Sequence, residues 1–174
     1  MNDSSTRAAD GRRLFSVAQI QHVLRTEFGR GQRYRYPLSV LVLSVDQLGA
    51  VRDRLGYDAK ESVVDGIVRL LAESTRSSDF LGRTPDDRLV AVVPHTDAAG
   101  ARLLGDRLVT GARALAAPGA PGERFTISIG ATSTADGEPL FHDVLLTAAE
   151  AAQAEAVAQG GDRFVARPPV PPGP

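Results

Sequence analysis

Few side chains in this 174-residue sequence could do chemistry, and their types narrow the options. There is no Cys, which excludes disulfides, thiol nucleophiles and thiolate zinc sites. The three histidines, His22, His95 and His142, lie far apart. None has an HxxxH or HExxH partner, so they read as surface or capping residues. Asp86 and Asp87 are adjacent carboxylates that could hold a metal or share a proton. They follow Pro85, however, in a turn composition where Asp mostly hydrogen-bonds its own backbone. Of the 20 basic residues, 19 are Arg and one is Lys, Lys60. Codon bias explains most of that, but a guanidinium is also a planar, bidentate donor for guanine or phosphate. Three Arg-x-x-Asp strings occur, beginning at Arg7, Arg76 and Arg83. With 14 Asp among the residues, about one or two are expected by chance, so register must single one out.

These residues need elements to position them, and the chain has the apolar content for one ordinary domain: 43% hydrophobic, with a net charge of −1. No apolar run approaches the roughly 20 residues of a membrane span, and residues 1–10 hold no apolar signal-peptide core. A cytoplasmic location is the expectation. Residues 1–12 and the Pro-rich 167–174 read as disordered tails around a domain at 13–166. Leu14 to Phe28 recurs at helical spacing, with an end near Gly29 to Gly31. Leu38 to Val45 reads as a strand covered on both faces, followed by a short helix at Val51 and Leu55 and a longer one from Asp58 to Thr75. Phe80 to Thr84 and Arg88 to Val93 flank a hairpin turn. A helix over 97–115, a strand at Phe125 to Ile129, a helix over 141–158 and a strand at Arg163 to Ala166 complete the string. The order α, β, α, α, β, β, α, β, α, β predicts an α+β fold. Its sheet should be central, five-stranded and mainly antiparallel, with helices on both faces.

Several local strings, in this order, resemble the GGDEF domain of diguanylate cyclases, a nucleotidyl-cyclase-like fold. They are Arg33-Tyr34 with Pro37-Leu38-Ser39, Leu43-Ser-Val-Asp-Gln-Leu48, Asp53, Leu55-Gly56-Tyr57, Arg76-Ser-Ser-Asp79, Gly82 to Pro94, Ile127-Ser-Ile-Gly130 and Gly161-Asp-Arg-Phe-Val165. The resemblance runs from about Leu14 to Val165. It implies two GTP molecules joined with divalent metal held by carboxylates, yet the matched positions depart from that chemistry. The strand's metal-binding Asp is Ser44. The five-residue signature reads Pro85-Asp86-Asp87-Arg88-Leu89, with Pro85 and Asp86 where glycines leave room for phosphates and Arg88 where an acid stands. The guanine-contacting Asn is Arg52 and a phosphate-binding Lys is Gly49. Late Lys and Arg positions are Ala158 and Asp162, while Glu61 conservatively replaces a guanine-binding Asp. The resemblance therefore implies no catalytic residue, no bound metal and no cofactor.

The same family has a second, non-catalytic site for cyclic di-GMP, an Arg-x-x-Asp placed five residues before the signature. Arg76 and Asp79 hold that register, and Arg107 falls on a further ligand-contacting Arg of the following helix. An Arg fork can donate to the O6/N7 edge of guanine while a carboxylate accepts from N1 and N2. Against this stands a surface ion pair of about 1 kcal/mol at most. The expectation is a catalytically inactive domain that receives cyclic di-GMP and signals through an unidentified protein partner, possible homodimers included. The alternative is a ligand-independent interaction or dimerisation scaffold. Residual action on GTP would depend on Asp87. Balanced charge and the lack of interleaved aromatics argue against nucleic acid as a partner.

Overall fold

The computed structural model describes residues 11–116, 119–134 and 141–170. In chain order the elements are α1 (Val17–Tyr34), β1 (Leu38–Val45), α2 (Leu48–Leu55), α3 (Tyr57–Ser74), β2 (Phe80–Arg83), β3 (Leu89–Pro94), α4 (Ala98–Arg113), β4 (Ile127–Ser133), α5 (Asp143–Ala158) and β5 (Arg163–Ala166). The sheet order is β2-β3-β1-β4-β5. All pairings are antiparallel except the parallel β4–β5 edge. Element types, order and sheet agree with the sequence reading.

β1 organises the two layers. Successive side chains of a strand point to opposite faces, and this run is apolar at nearly every position. Leu41 and Leu43 pack with Val64, Ile67 and Leu71 of α3 and Leu104 and Leu108 of α4. Val40 and Val42 face the other way, onto Ile20, Leu24 and Phe28 of α1 and Leu145 and Ala149 of α5. Polar groups enter only at the strand's ends.

Boundaries differ from expectation in three informative places. α1 continues through Gly29 and Gly31 to Tyr34, because the Tyr36 carbonyl packs onto Gly31, 3.1 Å from where a Cβ would sit. Its C-cap is Arg35 in the left-handed region (φ 56°), with the Arg35 and Tyr36 N–H groups both donating to the Gly31 carbonyl. Leu14 precedes the helix. Ser16 caps α1 in a reciprocal box with Gln19, while Phe15 bridges to Gly82 at the β2 edge. Finally, Arg12 and Arg167, both expected in tails, are bonded to the domain. Arg12 donates to the Arg76 carbonyl at 2.6 Å, and the Arg167 N–H donates to Ala131 at 2.9 Å. Residues 1–10 and 171–174 lie outside the described residues.

The Ala-rich α5 lies directly on β4. A Cβ at Gly130 would sit 1.9 Å from the Gln153 nitrogen and 2.2 Å from the Ala149 carbonyl oxygen, both backbone atoms that cannot yield alone. Gly130→Ala should therefore cost about 3 kcal/mol or more, as overpacking against backbone does. Urea denaturation at neutral pH checks this, and a loss below about 1 kcal/mol would show that α5 shifts freely.

Candidate functional site

The β2–β3 turn is built from Thr84 to Arg88. The Thr84 N–H donates to the Arg88 carbonyl (2.9 Å), the Asp87 N–H to the Thr84 carbonyl (3.0 Å) and the Arg88 N–H to Thr84 Oγ1 (3.0 Å). Pro85 and Asp86 occupy the corner, and Asp87 takes the left-handed conformation (φ 62°) that Asp tolerates better than most residues. Leu89 then enters β3 with its side chain in the core.

The carboxylates of this turn are bound mainly by side chains, which corrects the expectation of backbone bonding. Lys60 Nζ of α3 lies 2.5 Å from Asp87 Oδ2, and Arg83 of β2 donates to Asp87 Oδ1 through both Nε (3.0 Å) and Nη2. Arg83 Nη2 also reaches both Glu61 oxygens, at 3.1 and 3.2 Å, and Lys60 Nζ lies 3.4 Å from Glu61 Oε1. Two cations and two carboxylates thus close a neutral ring between α3 and the hairpin, with side chains 15–27% exposed. Arg88, expected to place its charge here, instead bonds Asp86 (2.8 Å) and approaches Glu150 of α5 (3.4 Å). Sequence reasoning counted Lys60 but gave it no role, and read Arg83 as a strand residue. Being the one Lys beside 19 Arg was the available signal.

At the end of β1, Ser44 Oγ accepts from Gln153 Nε2 at 2.7 Å. Asp46 was not singled out from the sequence. Its carboxylate accepts from Thr126 Oγ1 (2.7 Å), Ser128 Oγ (2.6 Å) and the Asp162 N–H (2.9 Å), tying β1, β4 and the loop before β5 together. Arg52 bonds its neighbour Asp53, and Asp162 pairs with Arg113 at 2.9 Å. Among the described residues no three His, Cys, Asp or Glu side chains converge as metal ligands would.

The second cluster surrounds the C-terminal end of α3. Arg76 and Asp79 lie in the loop beyond the helix, not on its last turn. The Asp79 N–H donates to the Arg76 carbonyl (3.0 Å) and the Arg76 N–H donates to Asp79 Oδ2 (2.7 Å), closing the loop. Asp79 is 6% exposed and its Oδ1 has no hydrogen-bond partner. The Arg76 side chain is exposed and forms no ion pair with that carboxylate, so the surface-pair reading does not hold. Arg107 of α4 donates to the Ser74 carbonyl (2.6 Å), and Arg12 donates to the Ala72 and Arg76 carbonyls. Three arginines therefore gather where α3 presents its unsatisfied carbonyls and the negative end of its dipole. Arg12, assigned to a tail by sequence, is the one that sequence reasoning missed.

Residues 13–163 match the family described as "Diguanylate cyclase, GGDEF domain". The chain belongs to the GGDEF family. The response regulator PleD of Caulobacter vibrioides is 29% identical over 134 residues, covering 75% of this chain and 29% of PleD. This GGDEF chain thus spans less than a third of that relative's length. The diguanylate cyclase SiaD of Pseudomonas aeruginosa, solved in complex with its activator SiaC, superposes with TM-score 0.80 at 26% identity, covering 88% of this chain and 59% of SiaD. The GGDEF domain of DgcB from Caulobacter crescentus, solved with c-di-GMP, superposes with TM-score 0.82 at 15% identity, covering 95% and 97%. In this GGDEF domain no helix among the described residues is long and apolar enough to cross a membrane.

The two clusters respond to acid in opposite directions. Burial would raise the Asp87 carboxyl, but the bonds and charges of Lys60 and Arg83 outweigh it and hold it below its ordinary 3.8. Burial raises Asp79, only partly opposed by the Arg76 N–H, the Arg76 charge and Arg12. A depressed folded-state carboxyl contributes stability above the unfolded-chain value that is lost as pH falls through the folded value. Asp87→Asn should therefore be less stable than the parent near neutrality. That difference should shrink as pH drops below 3.8. Paired urea titrations at about pH 7 and about pH 3 measure it, and a pH-independent difference would remove the charge network as its cause.

Proposed function

We propose that this GGDEF domain makes no cyclic di-GMP itself and instead receives it through Arg76, Asp79 and Arg107, passing the signal to a protein partner. For the first half, what supports the reading is the donor set of the β2–β3 turn. A divalent ion bridging to phosphates needs free, anionic hard oxygens. Ser44 offers a neutral hydroxyl already bonded to Gln153, and the Asp87 and Glu61 oxygens are engaged by Lys60 and Arg83. Those residues do not fit a metal. Pro85 and Asp86 further fill the backbone space that phosphates approach.

For the second half, the observation that carries the reading is the buried, unpartnered Asp79 Oδ1 beside exposed Arg76. A desolvated carboxylate oxygen without a donor is costly, by about 1–3 kcal/mol. Guanine supplies N1 and N2 hydrogens to such an acceptor and an O6/N7 edge to an arginine fork. The GGDEF domain of DgcB, which has the same fold, was solved with c-di-GMP, and that supports the ligand class. A second reading, the ligand-independent scaffold, draws on the Arg76 N–H bond to Asp79 Oδ2, because loop closure alone gives the motif a structural task.

Calorimetric titration separates them. Cyclic di-GMP should bind the parent chain, and Arg76→Ala should weaken binding at least about tenfold, the loss of one bidentate guanine contact. No heat with the parent, or equal affinity in the variant, would favour the scaffold. Incubation with GTP and Mg²⁺ or Mn²⁺ should yield no cyclic di-GMP by chromatography, and any product lost on Asp87→Ala would overturn the inactive assignment.

A further inference from the structure

A near-neutral net charge hides local concentrations of one sign, and the exposed side of α1 carries one of them. The helix runs Val17–Tyr34, and its stripe of Ile20, Leu24, Phe28 and Gly31 is buried in the sheet layer. At about 3.6 residues per turn, His22 and Arg33 fall opposite that stripe, with Arg25 and Arg30 on its two exposed flanks. Tyr34 and Arg35 follow at the C-terminal end. The only acid in the helix is Glu27, which is 5% exposed and bonded to Arg30 and to the Tyr36 hydroxyl. Arg25, Arg33 and Arg35 form no ion pair among the described residues. Of the other exposed arginines, Arg52, Arg54, Arg102, Arg113 and Arg167 each have a carboxylate partner, whereas Arg69, Arg76, Arg107 and Arg124 form no ion pair among the described residues. Between Arg33 and Arg35 stands Tyr34, 66% exposed, with the Arg33 guanidinium 5.5 Å from its ring centroid, so an aromatic is interleaved with the basic residues here, contrary to the expectation from the sequence.

We propose that this face of α1 binds a single-stranded nucleic acid, its arginines holding successive phosphates and Tyr34 stacking on a base. The row from Arg25 to Arg33 is about 12 Å long, enough to span several consecutive phosphates. An unpaired guanidinium is a bidentate phosphate donor, and an exposed aromatic beside it is the usual sequence-tolerant platform for bases. A bilayer is the poorer fit, because the apolar side of α1 is consumed by the core and cannot insert. An acidic protein surface is poorer too: its interface would need a buried apolar centre, and Tyr34 is the one large exposed ring on this helix. The surface lies on the sheet face opposite α3 and α4. The proposal is therefore independent of the cyclic di-GMP reading.

Fluorescence anisotropy of a labelled oligothymidylate about 20 nucleotides long, in about 50 mM salt, tests it. Binding is expected, with a log–log salt slope of about −2 to −3 for three or four phosphates. Arg25→Glu with Arg33→Glu should weaken it at least about tenfold, and the milder Arg25→Gln with Arg33→Gln by less. Tyr34→Ala should weaken it several-fold without changing the slope. All these positions are exposed, so each variant should still melt cooperatively, with at most a small downward shift for Arg33→Glu at the helix C-terminus, and cyclic di-GMP titration should not move. No anisotropy change with the parent overturns the proposal, as does equal affinity in both double variants. Sedimentation with phosphatidylglycerol vesicles in place of oligonucleotide binding would assign the face to a membrane and overturn it as well.

Discussion

Everything in this molecule is arranged around a strand that water does not reach. From Leu38 to Leu43 the side chains of β1 are at most 1% exposed on either face, so two helical layers are obligatory and neither can carry ionised groups inward. Chemistry is thereby pushed to the ends of the strand and the rims of the sheet. At one end Ser39, Ser133 and the Thr96 carbonyl share hydrogen bonds. At the other, Asp46 accepts from Thr126 and Ser128 and Ser44 accepts from Gln153, next to the β2–β3 turn. The cluster at Arg76 lies off the sheet altogether, where α3 hands over to β2. Packing of the core decides where a ligand could be met, and local sequence decides what is there to meet it.

The ring of Lys60, Asp87, Arg83 and Glu61 shows how local sequence can change the chemistry of such a rim without disturbing the fold. Partly desolvated carboxylates require compensating charge, because removing an ion from water costs several kcal/mol that attraction and hydrogen bonds must offset. Here the compensation is covalently attached. Lys60 contributes a compact ammonium that reaches Asp87 and Glu61 together, and its own proton is held more firmly by its bond to Asp87, outweighing burial. Arg83 adds a planar fork that spans the same two acids, a geometry an ammonium cannot supply. The two cations are therefore complementary in shape as well as equal in charge.

Much of this was legible in the sequence, for reasons that also mark the limit. Period-2 and period-3.6 apolar patterns survive folding unchanged, so element types and order followed from them, and β1 and β5 were placed to the residue. The hairpin turn between β2 and β3 was placed from its Pro85-Asp86-Asp87 composition. What stayed hidden were pairings between distant positions. Nothing local says that Lys60 meets Asp87, that Asp46 gathers Thr126, Ser128 and Asp162, or that Arg12 reaches the carbonyls of Ala72 and Arg76. Gly29 and Gly31 misled about the end of α1. Glycine reads as a helix breaker, whereas Gly31 is present for the close approach of the Tyr36 carbonyl.

Asp79 is the residue whose physics is least explained by the fold alone. One oxygen closes the loop on the Arg76 N–H, and Asn in its place would accept the same bond with no charge to bury. The second oxygen is desolvated without a donor, and burial raises the carboxyl despite two nearby guanidiniums. Stability alone therefore does not account for an acid at this position. Arg12, Arg76 and Arg107 meanwhile concentrate positive charge at a helix end that one or two of them would neutralise. An excess of cation around an under-satisfied anion is what a site for a ligand with both acceptor and donor edges requires. A guanine base has both edges, whereas a simple phosphate could use only the arginines.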